Sequence, residues 1–193
     1  MNSICVFCGS IIGNNPLYET AAYGLGKLLA EKRIRLIYGG AKVGLMGTVA
    51  NGVLENGGEA IGVLPAFLSG KEIAHAGLTD LILVESMHER KMKMSELADG
   101  FIALPGGMGT MEELCEILTW SQLGLHRKPA GVLNVNGYYD FLLQLFGKMV
   151  EEGFLKEKHQ QMLLNADQAE ELLMQMQQYQ APAVEKWLNK SDT

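Results

Sequence analysis

The chain has 193 residues, 48% of them hydrophobic and 20% charged, so it carries enough apolar material for a core and is not a disordered chain. Its 23 glycines exceed the usual share of roughly 7%, but with five prolines and no Gly-X-Y period they spell neither collagen nor a low-complexity linker. A formal charge of -6 argues against a nucleic-acid surface, which needs a basic field, and no apolar run reaches the about 18 residues of a membrane span.

Short apolar runs alternate with amphipathic stretches. Ser3–Cys8 reads as a first strand, and Asn14-Asn15-Pro16 opens a helix that runs to Lys32, with proline at a first-turn position. Ile34–Tyr38 is a second strand, followed by a helix over Leu45–Glu55. Strands over Glu59–Leu64 and Asp80–Val84 precede a helix at Met87–Ala98; a strand at Gly100–Leu104 precedes a helix at Thr110–Leu123. Ala130–Val135 is the last strand expected, with helices at Tyr138–Glu151 and Ala166–Gln178 and a polar, frayed tail at Lys186–Thr193. Strand-then-helix repetition with near-continuously apolar strands predicts a parallel sheet covered on both faces. The expected fold is α/β: a three-layer, Rossmann-like, doubly wound parallel sheet forming a single domain over residues 1–193.

Three cysteines (Cys5, Cys8, Cys115) are too few and too odd in number for a disulfide scaffold. Cys5 and Cys8 have C-x-x-C spacing, but on a strand residues three apart face opposite sides, which predicts two separate core thiols rather than a metal or redox pair. The four histidines show no ligand spacing, so no metal is expected. With no basic leader followed by a cleavage signal, the expected setting is the reducing cytoplasm.

The glycines collect where strands hand over to helices. Gly9-Ser10 follows the first strand, Gly39-Gly40 and Gly44 the second, and Gly106-Gly107-Met108-Gly109 the fifth. Ligands of open α/β sheets bind at the carboxyl ends of the strands, and glycine turns at helix starts let phosphate approach free N–H groups. The chain contains neither G-x-G-x-x-G nor G-x-x-x-x-G-K-[ST], which disfavours a dinucleotide oxidoreductase and a P-loop NTPase. Thr110-x-x-Glu113 also spells a capping box, a common helix start; Pro105-Gly106-Gly107-x-Gly109 ahead of it has more glycine than a cap requires. In Ser86-Met87-His88-Glu89-Arg90-Lys91-Met92-Lys93-Met94, cations near a helix N-terminus oppose the dipole and invite an anion. Met87 and Met94 lie on one face, spaced for packing or subunit contact, and His88 reads as structural.

Ser86–Lys91 (SMHERK) followed by Pro105–Glu113 (PGGMGTMEE) resembles the Lonely Guy (LOG) family of cytokinin riboside 5'-monophosphate phosphoribohydrolases. Cys8-Gly9-Ser10, Gly39–Gly47 and Thr119–Gly124 (TWSQLG) match as well, so the similarity spans Ile4 to Val150. The resemblance implies a Rossmann-like homodimer, without cofactor, that hydrolyses the N-glycosidic bond of a nucleoside 5'-monophosphate to free base and ribose 5-phosphate. It implies Arg90 and Glu113 as the catalytic pair. As substrate-binding positions it implies Glu72, Lys91, Gly107, Met108, Gly109, Thr110, Glu112 and Thr119, which join Gly9, Ser10, Gly40, Gly44 and Gly106 from the glycine turns. Ile11 departs from the family, where many relatives carry a second serine. Glu112 and Glu113, about 100° apart on a helix, do not form a paired-carboxylate glycosidase site. Arginine does not give up its proton in proteins, so Arg90 suits charge-assisted hydrogen bonding rather than proton donation. A non-catalytic nucleotide or phosphorylated-cofactor carrier on the same fold is the alternative, since fold alone does not separate the two.

Overall fold

The computed structural model describes residues 1–69 and 74–183. Its strands are β1 (Ser3–Phe7), β2 (Arg35–Tyr38), β3 (Ala60–Pro65), β4 (Asp80–Val84), β5 (Gly100–Ala103), β6 (Ala130–Leu133) and β7 (Leu163–Ala166). They form one sheet in the order β4-β3-β2-β1-β5-β6-β7, with every pairing parallel. The chain winds outward from β1 to β4, returns to the other side of β1 with β5, and winds outward again. The reversal between β1 and β5 is the switch point at which such sheets open a crevice. The doubly wound Rossmann-like α/β fold is therefore the one the alternating pattern predicts.

The helices are α1 (Pro16–Glu31), α2 (Gly44–Leu54), α3 (Ala66–Ser69), α4 (Met87–Leu97), α5 (Met108–Gln122), α6 (Asp140–Glu151), α7 (Glu157–Gln160) and α8 (Ala169–Gln178), with a 3-10 turn at Val135–Gly137. Asn15 caps α1 by accepting the Leu17 N–H at 3.0 Å, with Pro16 in the first turn as predicted. Alternation along β1 sends Ile4, Val6 and Cys8 into a core with α1, α2 and α8, and Cys5 and Phe7 into a second core with α4 and α5. The two cysteines of the C-x-x-C are thus on opposite faces, each buried, and burial raises the thiol pKa of both.

Helices α1 and α2 pack backbone to backbone. A Cβ on Gly26 would overlap the Val49 carbonyl of α2, and one on Gly52 would overlap the Tyr23 carbonyl of α1. Glycine in the middle of a helix costs about 1 kcal/mol relative to alanine; here that loss is the condition for the close crossing.

Besides the short helices α3 and α7, which the sequence pattern did not announce, and a start of α6 at Asp140 rather than Tyr138, two departures bear on the site and the sheet. The last helix does not begin at Ala166: residues 163–166 add β7 to the edge of β6, and α8 starts at Ala169. Leu163 packs against one core and Leu164 against the other, an alternation over two apolar residues too brief to register as a strand in the sequence. Helix α5 begins at Met108, two residues before Thr110. Residues 186–193 lie outside the described residues. No described helix is long and apolar enough to cross a membrane.

Candidate active site

Because β2, β1 and β5 are neighbours, their three glycine turns lie side by side at the carboxyl edge. The Gly9 N–H donates to the Pro105 carbonyl at 3.0 Å, tying the first turn to the third. Gly44, at φ 58°, sits so tightly on Ser10 that a Cβ would overlap the Ser10 carbonyl carbon. Gly40, at φ 75°, accepts the His75 N–H at 2.9 Å on its carbonyl. An open pocket of about 280 Å³ lies between the first and third turns, lined by Gly9, Ser10, Ile11, Leu45, Gly106, Gly107 and Tyr138, among others. The hydroxyl of Tyr138, on the pocket wall, donates to the Gly106 carbonyl at 2.5 Å, and the hydroxyl of the buried Tyr139 donates to the Leu104 carbonyl at 2.7 Å. These tyrosines, which follow β6, were not picked out in the sequence, because nothing in their spacing places them against a turn some thirty residues earlier.

The turn at residues 106–109 has an internal division of labour. Gly106 is sterically required, since a Cβ there would overlap the Thr110 Oγ1 and come within 2.8 Å of the Gly9 nitrogen. A Cβ on Gly107 or Gly109 would meet nothing within 4 Å, and neither residue has a positive φ. Protein packing and backbone conformation therefore do not require glycine at these two positions, and the space beside them is open. Gly107 is the N-cap of α5 and no side chain caps the helix, so its first-turn N–H groups are available to an anion. The capping box read from Thr110 and Glu113 does not form. Thr110 is buried inside the first turn with its hydroxyl against Gly106, and Glu113 turns toward α4.

Glu113 meets Arg90 there, with Nη1 3.9 Å from Oε1 and both side chains only 13% exposed. Arg90 also donates from Nε to the Val63 carbonyl of β3 at 3.1 Å. Burial pushes the Glu113 carboxyl up to about 7; the Arg90 charge opposes this, and Glu112 adds to it. The site thus holds a buried carboxyl group, pushed up toward neutrality, beside the Arg90 guanidinium.

The cations of α4 find their anions within the protein. Ser86 caps α4 by accepting the Glu89 N–H at 3.1 Å, while the Glu89 carboxylate accepts the N–H of Glu85, the residue before the cap, at 2.8 Å. Lys91 bridges to α5, with Nζ 2.5 Å from Glu112 and 3.0 Å from Glu116. Burial opposes its charge, but the two carboxylates outweigh burial and raise its pKa. Glu116 was missed in the sequence; its place one turn beyond Glu112 was the available signal. Met94 packs into the core, whereas Met87 is exposed and its Sδ lies 3.9 Å from Arg90 Nη1. Thr119 is exposed on α5 and bonds the Cys115 carbonyl at 2.7 Å, three turns along the helix from the glycine turn. Glu72 lies outside the described residues. Among the described residues, no group of three or more His, Cys, Asp or Glu is arranged to hold a metal ion.

Fold and site define a Rossmann-like α/β protein with an uncapped glycine helix start at the switch point and a buried carboxyl–guanidinium pair one turn beyond it. A family model described as "Possible lysine decarboxylase" matches residues 46–176. The chain is 52% identical over 176 residues to a probable cytokinin riboside 5'-monophosphate phosphoribohydrolase of Oryza sativa subsp. japonica, covering 91% of this chain and 79% of that protein. It is 49% identical over 177 residues to a cytokinin riboside 5'-monophosphate phosphoribohydrolase of Arabidopsis thaliana, covering 92% and 82%. The solved molybdenum cofactor binding protein of Rippkaea orientalis superposes with a TM-score of 0.69 at 21% identity, over 91% of this chain and 95% of that one, and shares the fold. The chain belongs to the LOG family. The decarboxylase in the family model's description finds no support at Lys91, because Schiff-base chemistry needs a neutral amine and two glutamates hold this one charged.

Proposed function

We propose that this chain hydrolyses the N-glycosidic bond of purine nucleoside 5'-monophosphates, with adenine or an N6-substituted adenine as the base, releasing free base and ribose 5-phosphate. The observation that carries the reading is the buried Glu113–Arg90 pair one helical turn beyond the uncapped 107–110 helix start. Phosphate sits on the N–H groups of that start, in the space left at Gly107 and Gly109. The ribose then falls at Glu113. As the bond from C1' to the base nitrogen breaks, its electrons leave with the base and positive charge builds on the ribose. The Glu113 carboxylate stabilises that charge and takes a proton from the water that adds to C1'; the proton ends on the departing base. Arg90 hydrogen-bonds the leaving group and supports the ionised form of Glu113.

Gly9, Ser10, Gly40 and Gly44 shape the crevice floor, while Lys91, through Glu112 and Glu116, braces α4 against α5. Met108, 89% exposed at the mouth, and Thr119 on the outer face of α5 are assigned to substrate contact by the family resemblance, as is Glu72. The active unit in this reading is one hydrolase domain over the whole chain, acting as a cytoplasmic homodimer. The exposed apolar groups Met87, Met92, Phe141 and Leu145 on α4 and α6 support a subunit contact on that side of the sheet.

Incubation with AMP and with its N6-isopentenyl analogue, followed by chromatography, is expected to yield adenine or the substituted base in equal amount to ribose 5-phosphate. Binding of either nucleotide without release of base would overturn the hydrolase reading in favour of a carrier, for which the shared fold alone now speaks.

A further inference from the structure

We propose that Gly39, at the carboxyl end of β2, is the positioning residue for Arg90, kept without a side chain so that the guanidinium can pack against its α-carbon. A Cβ on Gly39 would overlap Arg90 Nη2 and stand 3.2 Å from Cζ; the next neighbour is the Met46 sulfur at 3.3 Å. Backbone conformation does not explain the residue. The adjacent Gly40 has a φ of 75°, a value that favours glycine, but Gly39 has no positive φ. What Gly39 avoids is Arg90 itself.

The rest of the guanidinium's surroundings fits this role. The Val63 carbonyl takes the Nε–H at 3.1 Å, and Met87 Sδ flanks Nη1 at 3.9 Å. With Nε bonded to β3 and Nη2 seated on the end of β2, Nη1 is left to face Glu113. Arginine has many rotatable bonds and loses rotamer freedom when fixed. A seat on strand-end backbone holds it in one place before substrate arrives. A methyl group at residue 39 would push the guanidinium off this seat and away from Glu113, while leaving the glycine turn of β5 untouched.

The inference rests on the hydrolase reading, and a four-member cycle of wild type, Gly39→Ala, Arg90→Ala and the double variant separates the two. Gly39→Ala is expected to lower kcat for AMP by about a hundredfold, the effect of a misplacement near 1 Å, with KM little changed. On the Arg90→Ala background the same substitution is expected to change kcat by less than about twofold, because its effect runs through the missing side chain. The limb of the kcat–pH profile governed by Glu113 is expected to move to higher pH in Gly39→Ala, since the Arg90 charge holds that carboxyl down. A purely structural role would not move this limb. Thermal unfolding gives a readout independent of activity: Gly39→Ala lowers Tm in the wild-type background but not with Arg90→Ala, where the next neighbour of the new methyl is the flexible Met46 side chain. Equal losses of kcat or of Tm on both backgrounds, or an unchanged kcat in Gly39→Ala, would overturn the assignment. Failure of the wild type to release adenine sinks the hydrolase reading alone, and the Tm cycle still decides whether Gly39 seats Arg90.

Discussion

The two faces of the sheet are built to different standards. On one face α1 and α2 cross with backbones in contact at Gly26 and Gly52, and α8 closes the layer with Leu172, Leu173 and Met176 buried. On the other face α5 buries Leu114 and Ile117, but α4 buries Met94 alone, no residue of α6 is buried, and Phe141 stands 82% exposed. This looser face carries the charge pairs between α4 and α5 and the buried carboxyl of Glu113. A carboxyl raised to about 7 is a standing cost to the folded state, and one tightly packed face lets the other carry it.

The sharpest way to break this contrast is Glu113→Gln. Base release is expected to fall about a thousandfold, within the range of a lost acid–base group, while AMP binding, measured by calorimetry, is kept. The same variant is expected to be more stable than wild type at pH 8. With its folded pKa raised from 4.5 to about 7, Glu113 keeps its proton longer in the native state than in the unfolded chain. Its contribution to stability is therefore fully present below pH 4.5 and lost as pH rises through 7. Glutamine has no such loss, so the melting curves of variant and wild type should converge at low pH and separate at high pH. Separation in the opposite direction would contradict the burial argument.

On the tight face the expected pattern is inverted. Gly26→Ala places a methyl against backbone atoms of α2 that cannot move aside, and is expected to cost about 3 kcal/mol in urea unfolding. Base release per folded molecule should be unchanged; a drop comparable to that of Glu113→Gln would mean that the faces are not separable. Lys91→Met is expected to cost less, about 1 kcal/mol for the bridge between α4 and α5. Loss of its charge should also move the Glu113 limb of the kcat–pH profile to higher pH, since Lys91 holds that carboxyl down. The smallest effect is expected for Arg35→Ala, which removes an exposed pair with Glu59 and should change stability by under about 0.5 kcal/mol, still less at high salt.

Much of this was readable along the chain. Short apolar runs separated by amphipathic stretches determine a parallel sheet, because a strand buried on both faces must be apolar throughout, and the six strands read that way are present. The seventh was not readable: residues 163–166 hold two leucines, and their strand exists because the free edge of β6 accepts it. Glycine clustering located the three turns of the crevice, and resemblance picked out Arg90 and Glu113. The capping box at Thr110 misled because the same four letters serve a helix that starts two residues earlier, and whether a threonine caps or packs depends on what lies behind it.

The sequence by itself determined the alternation, the places where backbone is bare and the family. Only the tertiary structure decided which glycine serves which purpose. Gly26 and Gly52 admit a neighbouring helix, Gly44 and Gly106 admit neighbouring turns, and Gly39 admits the Arg90 guanidinium, while Gly107 and Gly109 face open space. A glycine's identity records that a side chain is absent, and only the atoms around it say what occupies the space.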